Sequence, residues 1–246
     1  MTESNLERIK KKFDSIDSKL YWGDDFDVRF YLLSRFPRIK NKTILDVGGG
    51  LGIICSEFDK SNFCVNLDIS QRDLVNCRRS FNNLINELNC SMTDIALKDN
   101  CFDYVICAHL LEVAKLIDIE NKKIIKNKLE KYPTVDKVIH EIHRVLKPDG
   151  ILLLTTPNNA YYQSSKLTYD ELIFHLRQHF NDFSLYFYNT FPRLNSKNRK
   201  LNMANVLPKV MAKIISREKI IQSLIHKDNG VNQYSVSFFV EAKKLS

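Results

Sequence analysis

Four of the seven glycines in this 246-residue chain fall within five consecutive positions: Gly48, Gly49, Gly50 and Gly52. They follow the apolar run Thr43-Ile44-Leu45-Asp46-Val47, so Asp46 opens a D-x-G-x-G-x-G pattern. Glycine is costly to order, and the chain has none between Gly52 and Gly150. The run, the glycine turn and the following Ile53-Ile54-Cys55-Ser56-Glu57-Phe58 predict strand, tight loop and helix. Such a loop lets a ligand approach bare backbone, with unpaired helix N–H groups beside it. Asp68 closes a second run, Phe63-Cys64-Val65-Asn66-Leu67, where a carboxylate can accept both hydroxyls of a ribose. His109 and Glu112 follow a further run, Tyr104-Val105-Ile106-Cys107. Imidazole titrates near neutrality, so this pair is the candidate for moving a proton.

The elements that must carry these groups to one place alternate from residue 43 to 156. Strands are predicted at 43–47, 63–67, near 87–92, at 104–107 and at 151–155, and later at 183–188 and 234–240. Between them, Leu74, Cys77, Phe81, Leu84, Ile85 and Leu88 keep one helical face apolar after Ser70, a natural N-cap. Val135, Val138, Ile139, Ile142, Val145 and Leu146 do the same before the stop Lys147-Pro148-Asp149-Gly150, and a further helix is predicted from Thr168 to Phe180. Repeated strand–helix units predict an α/β fold with a parallel sheet covered on both faces, ligands binding at the C-terminal strand edges. Ala114 to Lys131 reads as a charged, helix-like insert.

Composition sets the surroundings. Apolar residues make up 44% and aromatics 11% of the chain, which fits a globular protein with a substantial core. No apolar stretch nears the roughly 20 residues needed to cross a bilayer, and the polar N-terminus lacks the apolar core of a secretory signal, so a cytoplasmic protein is expected. None of the six cysteines forms a C-x-x-C pair. Reduced, mostly buried thiols are expected, and no metal site.

With these stretches in order, the chain resembles the class I S-adenosylmethionine-dependent methyltransferases, the broad group acting on small molecules, lipids and sugars. The resemblance runs from Ile44-Leu45-Asp46-Val47-Gly48-Gly49-Gly50-Leu51-Gly52 through Leu67-Asp68-Ile69-Ser70. It continues with Asp99-Asn100-Cys101-Phe102-Asp103-Tyr104-Val105-Ile106, Leu110-Leu111-Glu112, and Glu141 to Gly150 leading into Leu154-Thr155-Thr156-Pro157-Asn158. It covers about residues 40 to 160 and implies a Rossmann-like, seven-stranded, mostly parallel sheet with helices on both faces and an antiparallel last strand. It further implies that S-adenosylmethionine lies against Gly48, Gly49, Gly50 and Gly52, with Asp46 anchoring the loop and Asp68, beside Ile69, holding the ribose. The position that usually reads adenine with an aspartate falls on Ser91 in an ungapped alignment, with Met92 as its apolar neighbour and Asp94 as the fallback. Val113 stands where relatives often carry histidine. His109 and Glu112 would face the methyl site, His109 as a base or as lining of the cofactor pocket. Tyr161 and Tyr162 would line the acceptor pocket. His143 and Arg144 are expected to be surface or structural residues, and Asp103 to cap a turn.

No Asn-Pro-Pro-Tyr-like or Asp-Pro-Pro-Tyr-like tetrapeptide follows the fourth strand, and Cys107 lacks a preceding proline. Methylation of base amino groups and of pyrimidine C5 is therefore disfavoured. An oxygen of a small-molecule, sugar or lipid-linked acceptor is expected, with RNA methylation and a non-catalytic cofactor-binding protein as the alternatives. The organisation expected is an N-terminal helical cap at 1–42, a methyltransferase domain at 43–189 and 231–246, and a basic amphipathic insert at 190–230. That insert holds nine Lys or Arg against Glu218 and Asp228, most of the net charge of +8. Val206, Leu207, Val210, Met211, Ile214 and Ile215 repeat there at helical spacing. The pattern suits a lid packed on the domain or a helix lying on an anionic membrane, the lid being preferred. Aromatic residues are sparse there, which disfavours nucleic acid.

Overall fold

The structure, a computed structural model, describes residues 39–82, 84–121, 132–157, 166–188, 225–227 and 237–245. Its strands grow out of the apolar runs: β1 (Thr43–Val47), β2 (Phe63–Asp68), β3 (Asn86–Asn89), β4 (Phe102–Ala108), β5 (Leu146–Pro157), β6 (Asp182–Tyr188) and β8 (Ser237–Lys243), with a short β7 (Ile225–Lys227). They form one sheet in the order β3-β2-β1-β4-β5-β8-β6-β7. The pairs from β3 through β5 are all parallel, while β8 runs antiparallel between β5 and β6. This is the expected seven-stranded Rossmann-like sheet, with β7 added as a three-residue edge strand. Phe238, Phe239 and Val240 are completely buried, so β8 is apolar on both faces, as a central strand must be.

Helix α1 (Gln71–Phe81) begins where Ser70 accepts a hydrogen bond from Asp73 N at 3.2 Å. It ends sooner than the apolar spacing predicts. Asn82 adopts the left-handed conformation (φ 49°), which asparagine tolerates. Leu84 is then 68% exposed, and Leu88 belongs to β3. The helix predicted after the glycine loop is a 3-10 turn, Cys55–Glu57. The chain must reverse at once through Asp59 and Ser61 to enter β2, so no full helix stands behind the loop.

Helix α2 (Leu111–Glu120) leads to α3 (Pro133–Val145), whose proline sits at the first turn where its missing N–H costs nothing. Residues 122–131 of the charged insert lie outside the described residues. The first turn of α3 is capped from α2: Asp118 accepts from Thr134 N at 2.9 Å and from Thr134 Oγ1. Helix α4 (Tyr169–Arg177) opens with a capping box between Thr168 and Glu171. The predicted stop at 147–150 lies within β5, which starts at Leu146 directly after α3. The register slips between Phe102 and Tyr104, and Asp149 takes a φ of 63°. Asp149 N and Gly150 O then bond Lys244 O and N.

Two cores result. One packs the sheet against α2, α3 and α4; the other holds Ile44, Ile54, Cys55, Phe58, Cys64, Cys77 and Ile85 on the face covered by α1. Arg144 is structural, bonding Glu141, Asp99 and the carbonyls of Ile95 and Leu97. Among the described residues no helix is long and apolar enough to cross a membrane.

Candidate active site

The strand order turns around between β1 and β4, so the chains leaving their C-terminal ends diverge and open a crevice there. The glycine loop leaves β1 at that point and is tied to β2 by Gly48 N and Gly49 N, which donate to Leu67 O at 2.7 and 3.2 Å. From the other side, Leu110 packs over Gly48, whose added Cβ would lie 2.6 Å from Leu110 Cδ1. Gly50 has a φ of 51°, and among the described residues a Cβ there would meet only Asp68 Oδ2, at 3.9 Å. Of the loop's glycines it is thus Gly50 that presents bare backbone beside the Asp68 carboxylate, as far as the described residues go.

Asp68 is fixed from below. Oδ2 accepts from Gly50 N at 2.9 Å and Oδ1 from Ser70 N at 2.8 Å. Burial raises its pKa, and those backbone bonds pull against the rise. Each carboxylate oxygen keeps lone-pair capacity for a further donor. The arrangement fits a ribose-bearing cofactor: acceptors at a strand end beside backbone that no side chain among the described residues covers.

Asp46, 1% exposed, sits beneath the loop. Burial first, and then the Asp68 charge, push its carboxyl up to about 7. Cys55 Sγ lies 3.8 Å from Asp46 Oδ2, within a nest that includes Cys64 and Cys77. Burial raises the Cys77 thiol to about 11. All six cysteines are free.

After β4, His109 has a φ of 52° and its N–H donates to Thr155 O at 2.9 Å. Its Nδ1 lies 3.8 Å from Glu112 Oε1, and Thr156 Oγ1 reaches Glu112 Oε2 at 3.4 Å. His109 and Glu112 are thus brought together where β4 and β5 end. Beyond β3, Ser91 Oγ bonds Thr93 N and Oγ1. Met92 packs on the main core, Asp94 is exposed, and Ile69 is half-buried beside Asp68. Tyr161 and Tyr162 lie outside the described residues. Asp103 is at the opposite strand end, where Thr43 and Lys147 donate to it.

Two amides that no motif marked complete the surroundings. Asn89 Nδ2 donates to Asp68 O and Ile69 O, both at 3.0 Å, tying the end of β3 to that of β2. Asn66 Nδ2 donates to Gly50 O at 2.9 Å. The signal available for Asn66 was a lone amide inside an apolar strand run.

The sequence profile of the family described as "Methyltransferase domain" matches residues 45–154. An uncharacterized protein of Methanocaldococcus jannaschii is 26% identical over 154 residues, 63% of this chain; the chain spans 58% of that relative's length. Among solved structures, a SAM-dependent methyltransferase of Thermotoga maritima superposes with a TM-score of 0.57 at 12% identity, over 98% of this chain and 100% of that one. The N-methyltransferase NodS of Bradyrhizobium japonicum, in complex with S-adenosylhomocysteine, does so with a TM-score of 0.56 at 10% identity, over 99% and 100%. At such identities the superpositions establish the fold, and the profile match runs from Leu45 within β1 to Leu154 within β5. Residues 45–154 match a methyltransferase-domain family, and the chain has the fold of S-adenosylmethionine-dependent methyltransferases.

Proposed function

We propose that the protein transfers a methyl group from S-adenosylmethionine to an oxygen of a small-molecule, sugar or lipid-linked acceptor. The observation that carries this reading is the open backbone at Gly50 beside the fixed Asp68 carboxylate. When bound, the cofactor supplies a methyl group on a sulfonium, already activated for displacement. Asp68 holds the ribose hydroxyls, with Ile69 against the nucleoside. Gly48, Gly49, Gly50 and Gly52 lend backbone to the rest of the molecule, and Asp46 anchors their loop. Ser91 and Met92 take the adenine side, with Asp94 as the alternative. The protein's task is then to align the acceptor and exclude water.

An oxygen acceptor must also lose a proton, and in this reading His109, 3.8 Å from Glu112, takes it. Tyr161 and Tyr162 line the acceptor pocket in this reading. In this reading the segment 190–230, which apart from β7 lies outside the described residues, serves as a lid rather than as a contact for an anionic membrane. Six free thiols support a reducing, cytoplasmic setting.

Titration calorimetry with S-adenosylhomocysteine tests the site: the wild type binds, and Asp68→Ala weakens binding at least tenfold. Equal affinity in the two would remove Asp68 from the site. Transfer of labelled methyl to panels of hydroxylated small molecules, nucleotide sugars, lipid extracts, amines and RNA tests the acceptor. His109→Ala should lower turnover on an oxygen acceptor by roughly 10²–10⁴-fold, the usual contribution of a general base. Full turnover would free His109 of that role. A nitrogen acceptor is the second reading, favoured by the likeness to NodS, an N-methyltransferase; a neutral amine needs no base, so His109→Ala would then leave turnover intact. Flotation with anionic liposomes separates the lid from a membrane contact: the lid leaves the full chain in the bottom fraction.

A further inference from the structure

The glycine loop is gripped from beneath by a side chain outside every motif. Asp46 and Asn66 are register partners on β1 and β2. Because side chains alternate along a strand, Asp46, Asn66 and Asp68 share the face covered by α1. Two of these, Asn66 and Asp68, hold the same residue, Gly50, by its two backbone groups. Asp68 Oδ2 accepts from Gly50 N at 2.9 Å, and Asn66 Nδ2 donates to Gly50 O, also at 2.9 Å. Asn66 is fully buried, so solvent cannot substitute for that bond.

The far side of the amide completes the arrangement. Asn66 Oδ1 and Asp46 Oδ1 are buried and have no hydrogen-bond partner among the described residues. A Cβ on Gly49 would collide with Asn66 Oδ1 and with Asp46 Oδ2, at 2.5 Å from the latter, so both side chains press on one point of the loop. Asn66 Oδ1 and Asp46 Oδ2 converge there, and a proton on Asp46, whose carboxyl burial raises to about 7, would offer Asn66 Oδ1 a donor.

We propose that Asn66 is a positioning residue of the cofactor site, clamping Gly50 by its carbonyl while Asp46 steadies the amide from behind. The clamp fixes the height of the backbone next to Asp68 before any cofactor arrives. This deepens the reading of Gly50 and Asp68 as cofactor-holding residues and rests on it.

The test uses the full chain with S-adenosylhomocysteine as probe, well below the melting temperature of each variant. Asn66→Ala removes the clamp and should weaken binding about tenfold or more. Asn66→Asp keeps the shape but turns an acceptor toward Gly50 O and a second carboxyl toward Asp46. It should bind no better than Asn66→Ala, whereas a purely space-filling role would let the isosteric variant keep wild-type affinity. Amide exchange in the cofactor-free protein gives a readout independent of binding: Gly50 N–H, which donates to Asp68, should be strongly protected in the wild type and lose protection in Asn66→Ala. Failure of the wild type to bind the probe overturns the reading of the site itself. Wild-type binding with unchanged affinity in either folded variant, or a Gly50 amide equally protected in the wild type and Asn66→Ala, overturns the clamp alone.

Discussion

Asp46 is the residue at which fold and function conflict most directly. A carboxyl that burial and a neighbouring carboxylate push up to about 7 keeps its proton in the folded chain long after the unfolded chain has lost it near 3.8. The folded state thus holds the extra proton between those values. The stability this group contributes declines as pH rises through that window and is lowest above 7. The groups facing it are Asp68 and Cys64 from β2, Cys55 from the 3-10 turn and Cys77 from α1. Asp46→Asn removes the titration and supplies a donor toward Asn66 Oδ1. In the cofactor-free protein its melting temperature should gain on the wild type steadily from pH 5 to pH 8; a wild type more stable at pH 8 would mean that the carboxylate has a partner. Asp103 is the contrast: burial would raise it, yet bonds from Thr43 and Lys147 hold it at about 2. Asp46, the glycines and Asp68 were legible because ligand-binding backbone needs glycine and a diol needs a carboxylate at a strand end. Asn66 was not, because its partner is a loop carbonyl, and only the pairing of Asp46 with Asn66 across two strands brings them together.

The helices show the same division between what spacing reveals and what packing decides. Ser70 was readable as a cap because its oxygen needs only the N–H three residues on. The end of α1 was not, since Leu84, Ile85 and Leu88 continue the helical period and only the turn at Asn82 breaks it. Nor could spacing reveal that α4 is fastened to α2 through a buried ion pair. Lys115 Nζ lies 2.8 Å from Glu171 Oε2 and 2.7 Å from Lys166 O, and it stands 4.5 Å from the Tyr132 ring centroid. Burial would raise the Glu171 pKa, but the bonds from Lys115 and Thr168 prevail and lower it. Removing one partner strands the other charge in the interior, whereas replacing both with neutral groups of similar volume does not. Lys115→Ala should therefore cost about 3–5 kcal/mol in urea unfolding, and Lys115→Met combined with Glu171→Gln much less. If the single substitution cost no more than the double, the pair would be ordinary packing.

The molecule as a whole closes through its C-terminal end. β8 enters between β5 and β6, so the strands that follow the methyltransferase core in sequence cannot join the sheet until residues 237–243 are in place. The apolar alternation near the C-terminus made a strand legible there, and its antiparallel direction followed from the family resemblance; its position between two other strands was not legible, because both partners are far away in sequence. Its placement shows in the side chains: Phe238 packs in the core beneath α2, α3 and α4, and Phe239 in the core under α1. Both rings are fully buried, and one strand thereby links the two layers. Lys244 extends the tie, its Nζ bonding the carbonyls of His143 and Leu146 at the end of α3, at 2.9 and 2.8 Å. Each of Phe238→Ala and Phe239→Ala should lower unfolding stability by roughly 3–5 kcal/mol, the usual cost of deleting a buried ring. Since both layers hang on the same strand, unfolding should stay a single transition in each variant, with far-ultraviolet and near-ultraviolet dichroism moving together. If either variant lost tertiary signal on one side before the sheet melted, the layers would be separable units, and the glycine loop, which lies over the α1 layer, would owe its geometry to that layer alone.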